Sequence, residues 1–181
     1  MSESPTTGVT SQLADGTAAG TWVLDPEGSR AEFRVKHFWG AITVRGTLDR
    51  MNGEATISPD GSVAGRISFD AESVNTKNKQ RDKHLRSADF FHAEKHPQAV
   101  LTITSARPAG PADLECQGTF EAAGHARPVS FTAHIDEATA QAVVLTAELD
   151  VDRAEFDMTW SPMRIASMAA HGTVRARFVR A

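Results

Sequence analysis

A single cysteine, Cys116, is the whole thiol complement of this 181-residue chain, so no internal disulfide can staple it. No apolar run is long enough to cross a bilayer as a helix. There is no excess of basic charge: 19 Lys and Arg stand against 23 Asp and Glu, a formal net charge of −4. A nucleic-acid binder leaves a basic footprint, so this balance argues against a nucleic-acid partner. A polybasic grip on an anionic membrane is disfavoured on the same ground. The chain carries no nucleophile elbow, phosphate loop or dinucleotide fingerprint. It has no internal repeat. Residues 1–20 are rich in Ser, Thr, Gly and Ala and contain neither a basic n-region nor an apolar h-region. The expectation is a flexible polar N-terminal tail over 1–20, one domain over 21–181 and a cytoplasmic setting.

What is present is a period of two. A chain of this length buries about 70% of its unfolded surface and needs no metal to hold it. Ala31, Phe33 and Val35 alternate with Arg30, Glu32, Arg34 and Lys36. The same alternation recurs at Ile42 to Leu48, Val63 to Ala71, Leu101 to Ile103, Leu114 to Phe120, Val129 to Ile135, Val143 to Val151 and Val174 to Phe178. Strict alternation gives each strand one dry and one wet face, as in antiparallel sheets. Turn signals separate the runs, the clearest being Pro59-Asp60-Gly61. Eight or more regularly spaced strands favour a sandwich or a barrel, and closure into a barrel removes exposed edges. Residues 78–91 break the pattern. Arg81, Leu85 and Ala88 fall at helical spacing, Asp82 and Arg86 are placed to pair, and Asn78 or Thr76 is placed to cap. The fold class expected is therefore all-β, an antiparallel barrel with one short helix around 78–91.

The dry faces mix large and small residues. Ala31, Gly65, Gly118, Ala133 and Ala147 leave room inside an eight-stranded barrel, which is either filled by side chains or holds one small ligand. His37 continues the parity of Phe33 and Val35, so it points inward. It is either a contact for a ligand headgroup or a core histidine satisfied by a neighbour. His92 and His96 are four apart, but Pro97 turns His96 from helical dihedrals and no further ligand motif accompanies them, so no metal is expected. His125, His134 and His171 are expected in loops or facing solvent. Arg81 and Asp82 are read as a structural network anchoring the helix. Phe90, Phe91, Trp39 and Trp160 either line a cavity mouth or plug the barrel end. Cys116, in phase with a strand, is expected in the core, with no neighbouring base to activate it.

Several short motifs occur in a telling order. They are Trp22, Asp25-Pro26 and Ser29, then Phe33-Arg34-Val35-Lys36-His37, then Val44-Arg45-Gly46-Thr47-Leu48 with Met51-Asn52-Gly53. After them come Ser73 and Thr76, Arg81-Asp82, His84-Leu85, Asp89-Phe90-Phe91 and Pro97. In this order they resemble the signature of the YceI-like family, lipocalin-like barrels that bind polyisoprenoid lipids. The resemblance spans most of 21–181. It departs over 121–129 and again over 160–168, where the usual glycine-rich loop is replaced. It implies an extended antiparallel barrel around an apolar tunnel. Its function would be non-catalytic binding, storage or transport of a polyisoprenoid, as a quinone tail or polyprenyl phosphate. No cofactor is expected beyond such a bound lipid, and a homodimer carries over as an expectation. The expected ligand-binding residues are Phe33, Val35, His37, Ile67, Phe69, Leu85, Phe90, Phe91, Leu101, Ile103, Phe131, Leu145 and Trp160. Two other readings stay open: an enzyme acting on a hydrophobic substrate with His37 or His84 as general base, and a solid barrel whose surface serves interactions in a stress response.

Overall fold

Alternating residues become antiparallel strands throughout the structure, a computed structural model that describes residues 7–181, with side chains from residue 11 onward. Among the described residues there are eleven strands: β1 (Gly20–Leu24), β2 (Arg30–His37), β3 (Ile42–Leu48), β4 (Met51–Ile57), β5 (Val63–Asp70), β6 (Val74–Asn75), β7 (Gln98–Pro108), β8 (Asp113–Ala122), β9 (His125–Ala138), β10 (Ala142–Asp152) and β11 (Ala166–Arg180). Hydrogen bonding runs β1-β4-β5-β7-β8-β9-β10-β11, and β11 returns to β1 through the pairs Trp22↔Arg180 and Leu24↔Phe178. Those eight strands close the antiparallel barrel.

β11 is long, and its two halves serve different neighbours. The half near Arg180 pairs with β1. The half from Ala166 to Arg175 pairs with β2, which carries β3 and the short β6 beside it. The β2–β3 hairpin thus extends the wall past the closed ring. Parity decides the faces: Ile67, Phe69 and Leu101 are buried, while the adjacent Arg66 and Thr102 face outward.

The short helix is α2 (Lys79–Arg86). Asn78 caps it, its side-chain oxygen accepting from Arg81 N at 3.0 Å. The expected Asp82–Arg86 pair does not form. Asp82 is buried and accepts from Thr76 N at 2.8 Å and Thr76 Oγ1 at 2.6 Å. Arg86 instead donates to the carbonyls of Glu72 and Val74 at 2.9 and 3.2 Å. A buried carboxylate needs fixed donors more than a surface partner, and the turn before the helix supplies them.

Residues 1–6 of the expected tail lie outside the described residues. Thr7–Asp15 is a helix, α1, and Leu13 and Ala18 are buried among Ala106, Leu114, Cys116, Ala133 and Ile135. Two large apolar residues, Val9 and Leu13, in a segment rich in Ser, Thr and Gly gave little periodicity to read. The docking is close: a Cβ at Gly16 would lie 2.9 Å from Pro59 O, and one at Gly61 would lie 2.7 Å from Leu13 O. Both glycines have positive φ, so the β4–β5 turn and the end of α1 accept each other only without side chains. α1 therefore closes one end of the barrel.

Candidate functional site

The barrel encloses an internal cavity of about 370 Å³. It starts under α1, at Leu13 and Ala18, and runs to His37, Trp160 and Ala166 beside the β2–β3 hairpin. Its walls are almost wholly aliphatic and aromatic. All thirteen residues expected to bind a ligand border it, from Phe33, Val35 and His37 on β2 through Ile67, Phe69, Leu101 and Ile103 on β5 and β7 to Phe131 and Leu145 on β9 and β10. Leu85, Phe90, Phe91 and Trp160 complete it from α2 and the loops. Ala31, Gly65, Ala133 and Ala147 line it as small residues should. Gly118 does not. A Cβ there would clash with the Thr102 carbonyl, where the β7–β8 register shifts, so this glycine serves a close strand approach rather than room in the cavity.

Most of the charged and imidazole groups on the lining collect at the end away from α1. Arg153 is 6% exposed, in the turn after β10. Its guanidinium donates to Met158 O at 2.7 Å and twice to Ser167 O, at 3.0 and 2.7 Å, and lies 5.7 Å from the Phe90 ring centroid. Burial lowers its proton affinity and Asp152 partly restores it; an arginine stays charged regardless. His37 is held below its ordinary imidazole value, first by desolvation and then by the positive charges of Arg81 and Arg153. The His37 ring thus borders the cavity, where burial and two nearby cations disfavour its protonation.

His84 Nε2 meets Asp89 Oδ2 at 2.7 Å, and its ring stands edge-on to Trp160 at 4.3 Å and to Phe90 at 5.2 Å. Phe90, Phe91 and Trp160 are therefore cavity walls at this end. Trp39 is neither wall nor plug: it is 87% exposed and lies outside the cavity. The β2–β3 turn carries it outward, because Phe38 and Trp39 both adopt left-handed backbone, at φ 50° and 55°.

Other sequence expectations resolve simply. Cys116 is buried, and burial pushes its thiol up to about 11. The His92 and His96 rings pack edge to face, and among the described residues no group of three His, Cys, Asp or Glu is placed to hold a metal. His134 is exposed and pairs with Asp113 at 2.7 Å. His171 is not a loop or solvent-facing residue: it sits within β11, 21% exposed at its side chain, with Nδ1 on Asp150 Oδ1 at 2.6 Å. Sequence reasoning missed Arg153, Phe156 and Met158 as lining residues. No periodicity marks Arg153 and Phe156, since a single helical turn folds them inward.

A family model described as the YceI-like domain matches residues 22–179. Over 126 residues the chain is 33% identical to Protein YceI of Escherichia coli O157:H7, and 34% identical to a UPF0312 protein of Pectobacterium carotovorum. Each match covers 67% of this chain and 65% of the relative, so the chain spans about two thirds of the length of the curated relatives it matches. Among solved structures it superposes on BcnA of Burkholderia cenocepacia with a TM-score of 0.77 at 16% identity, covering 85% of this chain and 98% of that one. A polyisoprenoid-binding domain from Saccharophagus degradans gives 0.73 at 14%, covering 88% and 98%. A Campylobacter jejuni YCEI protein gives 0.66 at 21%, covering 74% and 83%. No helix among the described residues is long and apolar enough to cross a membrane.

Proposed function

Because this chain belongs to the YceI-like domain family, we propose that it binds a polyisoprenoid lipid and stores or carries it without chemical change. The isoprenoid tail occupies the tunnel from the Arg153 end toward Leu13. The headgroup stays at that end, near Arg81, Arg153 and His37. The observation that carries this reading is the cavity itself: about 370 Å³, elongated, apolar along its length, with cations gathered at one end. The polyisoprenoid-binding description of the Saccharophagus degradans domain supports it, as a property of a protein of the same fold.

The energetics suit such a ligand. Each buried methylene contributes about 0.8 kcal/mol, so a few isoprene units give useful affinity with few polar contacts. Carrying two arginines near one end of an apolar tunnel favours an anionic or strongly polar head. A polyprenyl phosphate meets that description by its charge, and a quinone ring offers the arginines two carbonyl acceptors.

Titration of lipid-stripped protein tests the reading. Solanesol, solanesyl phosphate and a long-chain prenyl quinone are added in turn, and quenching of tryptophan fluorescence is followed. All three should bind. Arg81→Ala should weaken the phosphate by about tenfold, the loss of one charge-assisted contact, and change the alcohol little. Failure of every prenyl compound to bind would overturn the proposal.

A further inference from the structure

Two neighbouring turns at the far end of the tunnel push apolar side chains into solvent. Trp39 is 87% exposed and Met163 86%; Phe38, Ile42 and Trp160 beside them are 45%, 52% and 45% exposed. Among the described residues the large exposed hydrophobics number six, and only Val23 lies elsewhere. The turns form one surface, since Phe38 N donates to Ile165 O at 2.9 Å and His37 pairs with Ala166. Trp160 is shared between this surface and the cavity wall, so the patch and the tunnel are continuous. Both turns hold bulky residues in left-handed backbone: Phe38 and Trp39 in one, Met163 and Arg164 in the other, at φ between 50° and 56°. That conformation is costly for such residues, and here it aims Trp39 and Met163 away from the core.

The charge on the two turns themselves is positive, and the exposed acids Asp89, bonded to His84 at 2.7 Å, and Asp157 stand at their margin. Residues 34–45 contain Arg34, Lys36 and Arg45 and no acid, and residues 158–170 contain Arg164 and no acid. Helix α2 adds exposed Lys79 and Lys83, while its one acid, Asp82, is buried. Cations are thus concentrated at this end of a chain whose net charge is −4. The net charge that disfavours a membrane grip is a sum over the whole molecule. A charged surface responds to the field within a Debye length, about 8–10 Å.

We propose that this end docks on the interface of an anionic lipid bilayer. Trp39 and Met163 enter the headgroup layer, and Lys36, Arg45 and Arg164 meet lipid phosphates. A second copy of the chain is a poor occupant, because pairing the same face about a twofold axis sets cations against cations. The purpose of docking rests on the carrier reading, since it places the tunnel end where a lipid tail leaves or enters the bilayer. The docking itself does not need a bound lipid.

Sedimentation of the lipid-stripped full chain with vesicles tests it. One set is phosphatidylcholine alone; the other contains about one third phosphatidylglycerol. The protein should pellet with the anionic vesicles and much less with the neutral ones, with its tryptophan emission shifted to the blue. The double variant Trp39→Ala, Met163→Ala and the double variant Lys36→Glu, Arg45→Glu should each bind about tenfold more weakly. Both should melt at the wild-type temperature, because these side chains are exposed. Wild type left in the supernatant with both vesicle types would overturn the proposal, as would variants that bind like wild type. Self-association without vesicles, lost in Trp39→Ala, Met163→Ala, would also overturn it and assign the surface to a second copy. Failure of the carrier reading would show separately, in the prenyl titration.

Discussion

At the scale of single residues, buried polar groups hold the far end of the tunnel in shape. Arg153 is the clearest case, since it satisfies two backbone carbonyls from within the barrel. Arg153→Ala strands Met158 O and Ser167 O and should cost about 2–4 kcal/mol; urea unfolding with an unchanged midpoint would contradict this. His37 gives a pH dependence of defined sign. Unfolded, it titrates near the ordinary value of about 6.5; folded, desolvation and then Arg81 and Arg153 hold it lower. The unfolded chain therefore binds the extra proton first. The His37 contribution is at its full favourable value above about pH 6.5 and is lost as pH falls below it, until the folded ring is protonated too. His37→Gln should lose less melting temperature than wild type between about pH 7 and pH 5. Parallel curves would show that the ring does not feel those cations. Parity made His37 legible as an inward residue, whereas its lowered proton affinity follows from burial first and then from Arg81 and Arg153, which lie far from it in sequence and are invisible to local pattern.

At the scale of elements, the strands with long alternation were legible and those without it were not. β5, β9 and β10 announce themselves through Ile67 and Phe69, Phe131 and Ile135, and Leu145 to Val151. The first part of β11, Ala-Ser-Met-Ala-Ala-His-Gly, has no alternation to read, because β2 and β10 on either side supply the pairing that fixes it. α1 escaped for a similar reason: among its described side chains Leu13 is the one that docks, with backbone contact at Gly16 and Gly61 beside it. The reading of Gly118 as a space-maker failed because a glycine in a strand has two uses, and sequence does not say which. Its use here makes a sharp prediction. Gly118→Ala forces a methyl onto the Thr102 carbonyl and should cost about 1–3 kcal/mol by overpacking. Gly65→Ala, whose added Cβ would lie 3.4 Å from its nearest neighbours, should cost less. Thermal melts of the two variants give the comparison, and equal losses would contradict the close-approach account.

At the scale of the whole molecule, barrel closure makes one long apolar space with unlike ends. α1 covers one end, and the other gathers Arg81, His84, Arg153 and the aromatic walls. Fold class and inward parity were legible because an alternating strand can bury only one face. The family resemblance implied the apolar tunnel, but its unlike ends and the outward Trp39 were not legible, because they arise from how the β2–β3 hairpin and the turn at Pro162 sit on the rim. The central claim is that this space holds a prenyl chain. The most direct test is an intact-complex mass measurement on protein purified without detergent, wild type beside Ala147→Phe, which places a ring within the tunnel. The account predicts a mass increment in wild type that organic extraction identifies as a prenyl lipid, and a reduced or missing increment in Ala147→Phe. Wild type at its bare mass, still bare after incubation with prenyl lipids, would contradict it.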